Sequence, residues 1–163
     1  MENRAHRAYE QAVRVLPLRL RQEALSLPPE EQERAEELRL RCGQPLAAVF
    51  PEGERLLGRE CVTGRELEQL LELASRASVH TVLDQLRRGY LTVEGGHRVG
   101  LCGSALMRDG EMVNLRRLSS AAVRVARQSP GAAEPVWDSL TGPEGTLEST
   151  LILAPPGAGK TTL

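Results

Sequence analysis

Residues 90–107, YLTVEGGHRVGLCGSALM, decide the class of fold. Apolar residues alternate with polar or small ones on both sides of Gly95-Gly96, the period of half-buried strands and not of a helix. Two such runs about a glycine pair read as a hairpin. Asp109-Gly110 marks another tight turn, with EMVNLRRL beyond it. In AAVRVAR (121–127) the alternation returns, with Val123 and Val125 facing one way and Arg124 the other, so a further strand is expected there.

Upstream of this block the spacing is helical. Residues 1–26 place Tyr9, Val13, Leu16 and Leu20 near one face, with an interruption at Pro17. Ser26-Leu27-Pro28-Pro29-Glu30 is a helix start, with prolines in the first turn and acids at the positive end of the dipole. The segment EEQERAEELRLR is predicted to continue as helix to Gly43. PLAAVF (45–50) and ERLLG (54–58) read as short strands joined by Pro51-Glu52-Gly53. Thr63 is a suitable N-cap for RELEQLLELAS, whose Leu67, Leu70, Leu71 and Ala74 form an apolar stripe. A second helix is expected from about Val79 to Arg88, stopping at Gly89.

Helical blocks followed by antiparallel strands predict an α+β N-terminal domain over residues 1–127. Residues 128–148 are rich in Pro, Gly and Ser and are expected to be a linker, with a short helix from about Val136 to Leu140. Residues 149–163, STLILAPPGAGKTTL, are expected to begin an α/β, RecA-like P-loop domain. TLILA is a continuous apolar run of the kind buried on both faces of a parallel sheet. It leads into a match to G-x-x-x-x-G-K-[ST], with Ala154 in place of the first glycine and Gly159-Lys160-Thr161 completing the pattern.

Each residue of that loop has a physical role. Pro156, Gly157, Ala158 and Gly159 would curl the backbone so that successive N–H groups meet phosphate oxygens. The Lys160 ammonium would rest on the β- and γ-phosphates of ATP, and the Thr161 hydroxyl would ligate Mg2+. Thr162 would open a helix whose dipole faces the phosphates. The competing reading is a Gly/Pro loop with a helix cap. The sequence ends at Leu163, so neither a second acid for the magnesium nor a glutamate to orient water is expected within it, and ATP hydrolysis by this chain alone is not expected.

Composition narrows the classes. The 163 residues are 40% hydrophobic and 26% charged, an ordinary globular profile. No apolar run approaches the roughly 20 residues of a membrane span, and the polar start lacks a secretory signal, so a cytoplasmic protein is expected. The net charge of −1 provides no general attraction to nucleic acid, and one Phe, two Tyr and one Trp leave few stacking platforms. Cys42, Cys61 and Cys102 lack metal-site spacing and are expected to be reduced thiols at buried or half-buried positions. Lys160 is the only lysine among 21 basic residues, and it falls inside the phosphate pattern.

Four stretches in order, LPPEEQERAEELRLRCGQPL, RRGYLTVEGGHRVGLCGSA, LRRLSSAAVRVARQSPGAAE and LILAPPGAGKTTL, resemble the stage III sporulation protein AA family, a group similar to the ATPases of type II and type IV secretion. The likeness runs from Leu27 to Leu163. It departs at SSAAVRVAR, where the family more often has SSLNIRIAR. The resemblance implies a hexameric ATPase of endospore formation on the mother-cell side of the channel to the forespore, working with that channel's membrane proteins. It also implies that arginines of the N-terminal domain reach the nucleotide. Arg98, Arg124 and Arg127 are the best matches, against the plainer reading of a solvated strand face. His97, beside two glycines, has no partner at useful spacing for a ligand or base; His6 and His80 read as surface or packing residues. Two other functions remain open: a non-catalytic assembly module of that channel, or a P-loop protein acting on single-stranded nucleic acid.

Overall fold

The computed structural model describes residues 4–76, 82–127, 131–142, 145–155 and 159. The chain divides into two compact units, Met1–Ala126 and Arg127–Leu163.

The first unit contains helices α1 (Arg4–Val13), α2 (Leu18–Leu25), α3 (Pro29–Arg34), α4 (Gly64–Arg76) and α5 (Val82–Arg87). Its strands are β1 (Glu37–Arg41), β2 (Pro45–Phe50), β3 (Gly53–Cys61), β4 (Tyr90–Thr92), β5 (Arg98–Arg108) and β6 (Glu111–Arg124). They form one sheet in the order β3-β2-β1-β6-β5-β4, and every pair of named neighbours is antiparallel. The first unit is therefore α+β, as the alternation after residue 90 predicts. Pro17 separates α1 from α2, also as expected, because its ring and missing N–H end a helix.

One face of the sheet carries the core. Leu38 of β1 lies opposite Ala48 of β2 and Val123 of β6, and Val123 in turn lies opposite Val99 of β5. These side chains pack against Tyr9, Leu16, Leu20, Leu67, Leu70 and Ala74 from the helices. Helix α4 begins with a reciprocal cap: the Glu66 N–H donates to Thr63 Oγ1 at 3.2 Å, and the Thr63 N–H donates to Glu66 Oε2 at 2.8 Å. Arg19 also donates to Glu66, at 2.8 Å, tying α2 to that cap.

The structure overturns the helix expected to run to Gly43. Helix α3 stops at Arg34, Ala35 turns to extended backbone (ψ 121°), and ELRLR forms β1. In a helix Leu38 and Leu40 would point about 200° apart; in a strand they share a face. Both are fully buried, which favours the strand by about 2 kcal/mol per leucine. With β2 on one side and β6 on the other, β1 is central, and ladder pairing on both edges overrides the helix propensity of its flanking residues.

Other expectations are lengthened or redrawn. The short run at 54–58 is part of a nine-residue strand, Gly53–Cys61. EMVNLRRL and the first part of the alternating segment after it, as far as Arg124, form the single strand β6, which turns back from β5 at Asp109-Gly110. Helix α5 covers the described part of the helix expected over 79–88; residues 79–81 lie outside the described residues. All three cysteines are exposed, not buried or half-buried: Cys42 lies just beyond β1, Cys61 ends β3, and Cys102 lies on the open face of β5 opposite Ser120. In the second unit, a 3₁₀ turn at Glu134–Val136 leads into α6 (Trp137–Leu140), close to the short helix expected in the linker.

Candidate functional site

The phosphate-loop segment differs from its expected form. Residues 149–155 adopt no strand, and Leu151 and Leu153 are 82% and 84% exposed. A continuous apolar run of this kind is buried as a strand when neighbouring strands and helices cover it. Gly159 is exposed with φ +81°, and among the described residues nothing lies within 4 Å of where a side chain would begin. That left-handed backbone is open to glycine without strain. Pro156, Gly157, Ala158, Lys160, Thr161 and Thr162 lie outside the described residues, and with Thr161 the proposed magnesium ligand. Among the described residues no group of three or more His, Cys, Asp or Glu side chains is placed to hold a metal.

The arginines are better defined. Arg98 opens β5 and Arg124 closes β6, and the two are direct cross-strand partners, both exposed on the face opposite the core. Like charges directly opposite each other are destabilising. Among the described residues neither forms a salt bridge. Glu37, the partner of Arg124 across β1, is already engaged, accepting a hydrogen bond from Arg39 Nε at 2.6 Å. Glu54 is likewise held, by Arg41 at 2.6 Å and Arg39 at 2.8 Å, and these hydrogen bonds lower its carboxyl to about 2. The acids of this face thus neutralise Arg39 and Arg41, and the Arg98–Arg124 pair is left with surplus positive charge. Arg127 belongs to the second unit and is half-buried. The structure brings together two of the three arginines that the sequence singles out.

Two residues beside this pair carry roles that local pattern does not reveal. The Arg98 guanidinium carbon lies 3.9 Å from the centre of the Tyr90 ring, a cation–π contact. The signal for it was Gly100, which faces Tyr90 across the β4–β5 ladder and leaves the ring uncovered for a neighbour two positions away. The other is His97, which is completely buried. Its Nδ1 accepts the Ala126 N–H at 2.9 Å. Next to the arginines the open face also has a shallow hollow of about 380 Å3, floored by Gly100, Cys102, Ser120 and Ala122 and bounded by Arg39 and Arg41. His6, by contrast, is half-buried and sits 3.5 Å from Glu10; His80 lies outside the described residues.

The first unit is thus an antiparallel α+β domain with an exposed arginine pair, and a sequence that matches the phosphate-loop pattern follows it. Residues 6–163 match the family model "Sporulation stage III, protein AA", and the chain belongs to that family. It is 34% identical over 149 residues to the Stage III sporulation protein AA of Bacillus subtilis (strain 168), a match covering 91% of this chain and 48% of the relative. The chain thus spans about half the length of the curated relative it matches. Among solved structures it is similar to the ATPase DotB of Legionella pneumophila (TM-score 0.36, 15% identity, 79% of this chain and 36% of that one). A second similar structure is the ATPase DotB of Yersinia pseudotuberculosis (TM-score 0.35, 15% identity, 66% of this chain and 32% of that one).

Proposed function

We propose that this chain carries the phosphate-binding loop and the arginine-bearing N-terminal domain of an ATPase that acts in endospore formation. The observation that carries the reading is the Gly159-Lys160-Thr161 sequence, with Gly159 in left-handed backbone, in a member of the stage III sporulation protein AA family. ATP with Mg2+ would supply the phosphoanhydride whose hydrolysis drives the machine. On this chain Gly157 and Gly159 would free backbone N–H groups for the phosphates, Lys160 would place its charge on them, and the Thr161 hydroxyl would hold the metal. Arg98 and Arg124 would add positive charge from the N-terminal domain, where a cross-strand pair without its own acid is stabilised by any phosphate that arrives. Assembly into a hexamer, a place at the cytoplasmic face of the mother-cell membrane, and contact with membrane proteins of the channel to the forespore belong to the same proposal. Among the described residues no helix is long and apolar enough to cross a membrane.

The direct test is a Lys160→Ala substitution in the full-length protein. Abolished ATP turnover is the expected result; an unchanged rate refutes the assignment of Lys160 to phosphate. A second reading, a non-catalytic assembly module, is favoured by the solvent-facing Leu151 and Leu153, since exposed apolar surface marks contact with a partner. Equilibrium binding of a fluorescent ATP analogue to the 163-residue chain separates the two. Magnesium-dependent binding in the submicromolar range favours a nucleotide site held by this chain itself, and its absence favours the assembly role.

A further inference from the structure

The buried histidine next to the arginine pair has a structural assignment that neither the family nor the nucleotide reading contains. His97 immediately precedes Arg98, and Ala126 lies two residues beyond Arg124. The His97 carbonyl is engaged on the β4 side, where it accepts the Val93 N–H at 2.9 Å. On the β6 side the imidazole supplies the acceptor, taking the Ala126 N–H on Nδ1 at 2.9 Å. One residue earlier, the Val125 N–H donates to the Glu36 carbonyl, also at 2.9 Å, so the end of β6 is pinned from both flanks. A nitrogen that accepts an N–H carries no proton, so His97 is a neutral imidazole protonated on Nε2.

The approach of this side chain is built into the turn before it. Gly95 has φ +82°. A Cβ at that position would lie 2.7 Å from His97 Nε2 and 2.9 Å from Gln11 Oε1 of α1. The glycine is needed both for its backbone conformation and for the space it leaves the ring. The ring is fully buried, directly after the 3₁₀ turn at Glu94–Gly96.

We propose that His97 is a positioning residue: its Nδ1 clasps the end of β6 and thereby holds Arg124 opposite Arg98. The clasp itself is independent of any nucleotide; its consequence for phosphate binding rests on the function proposed above.

The test uses the 163-residue chain labelled with 15N, in three forms: wild type, His97→Ala and His97→Asn. Asparagine places Oδ1 near the position of Nδ1 and keeps an acceptor there. In the wild type, long-range 1H–15N correlation is expected to report an unprotonated Nδ1 and a protonated Nε2. Hydrogen exchange at the Ala126 amide is expected to rise about five- to tenfold in His97→Ala, the size expected for one lost hydrogen bond. In His97→Asn it stays close to wild type. A protonated Nδ1 in the wild type overturns the proposal. So does an Ala126 amide that exchanges equally fast in all three forms, or equally faster in both variants. Should His97→Ala fail to fold, the wild-type nitrogen shifts and the asparagine variant still decide. In the full-length protein, nucleotide affinity lost in His97→Ala and restored in His97→Asn extends the clasp to Arg124's role. If Lys160→Ala leaves turnover unchanged, the exchange result still stands and only that extension falls.

Discussion

Replacing Gly95 by alanine tests the packing around the arginine pair by adding one methyl group. The new Cβ would sit 2.7 Å from His97 Nε2 and 2.9 Å from Gln11 Oε1, both inside contact distance, and in a backbone with φ +82°. The left-handed conformation costs a non-glycine residue about 1–2 kcal/mol. Part of this, about 0.4–1 kcal/mol, is offset because alanine narrows the unfolded ensemble. The clash costs more than the backbone strain. Gln11 is only half-buried and can swing aside, but the His97 ring is enclosed. If the ring moves, the Ala126 N–H loses its acceptor, at about 1–3 kcal/mol. The net expectation is a destabilisation of about 2–4 kcal/mol, read as a lower urea midpoint with little change in slope. A loss below about 1 kcal/mol refutes the reasoning, because it would mean that the imidazole has room the structure denies it.

Two further outcomes follow from other parts of the fold. Thr63→Ala removes the hydroxyl half of the reciprocal cap on α4 and is expected to cost about 1 kcal/mol in urea unfolding; an unchanged midpoint would show that the Thr63 hydroxyl contributes nothing to the cap. Glu54→Gln tests the sheet's open face through its pH dependence. Arg41 and Arg39 lower the folded-state Glu54 carboxyl to about 2, so its contribution is complete above the unfolded value near 4.5 and disappears as pH falls toward 2. The group is partly exposed and screened, which keeps the effect to about 1 kcal/mol. Wild type and variant are therefore expected to differ at pH 7 and to converge between pH 4.5 and 2 in denaturant titrations; a constant gap across that range contradicts the ion-pair assignment.

Local chemistry made much of this legible in advance. The glycine pair at 95–96, the Asp109-Gly110 turn, the proline at 17 and the threonine at 63 each impose a backbone geometry within a few residues, and the structure places a turn, a turn, a break and a cap at those positions. Arg124 on the polar side of an alternating strand was likewise readable from its neighbours alone. The failures have a common cause. ELRLR carries the residues of a helix, and pairing with the next strand, β2, on one edge and with β6, distant in sequence, on the other makes it the centre of a sheet. TLILA has the composition of a buried strand, yet composition supplies no neighbour to pair with, and the described segment is exposed.

From its order of residues alone, this protein has an α+β beginning, a phosphate-loop signature with a single lysine, and a set of arginines with no rank among them. Tertiary structure did the ranking. It set Arg98 against Arg124, stacked the first on Tyr90, occupied Glu37 and Glu54 elsewhere, and buried His97 where it grips the end of β6. The reason is physical: a turn or a cap depends on torsions and hydrogen bonds among adjacent residues, whereas the charge balance of a sheet face depends on register between strands separated by many residues, which no local pattern encodes.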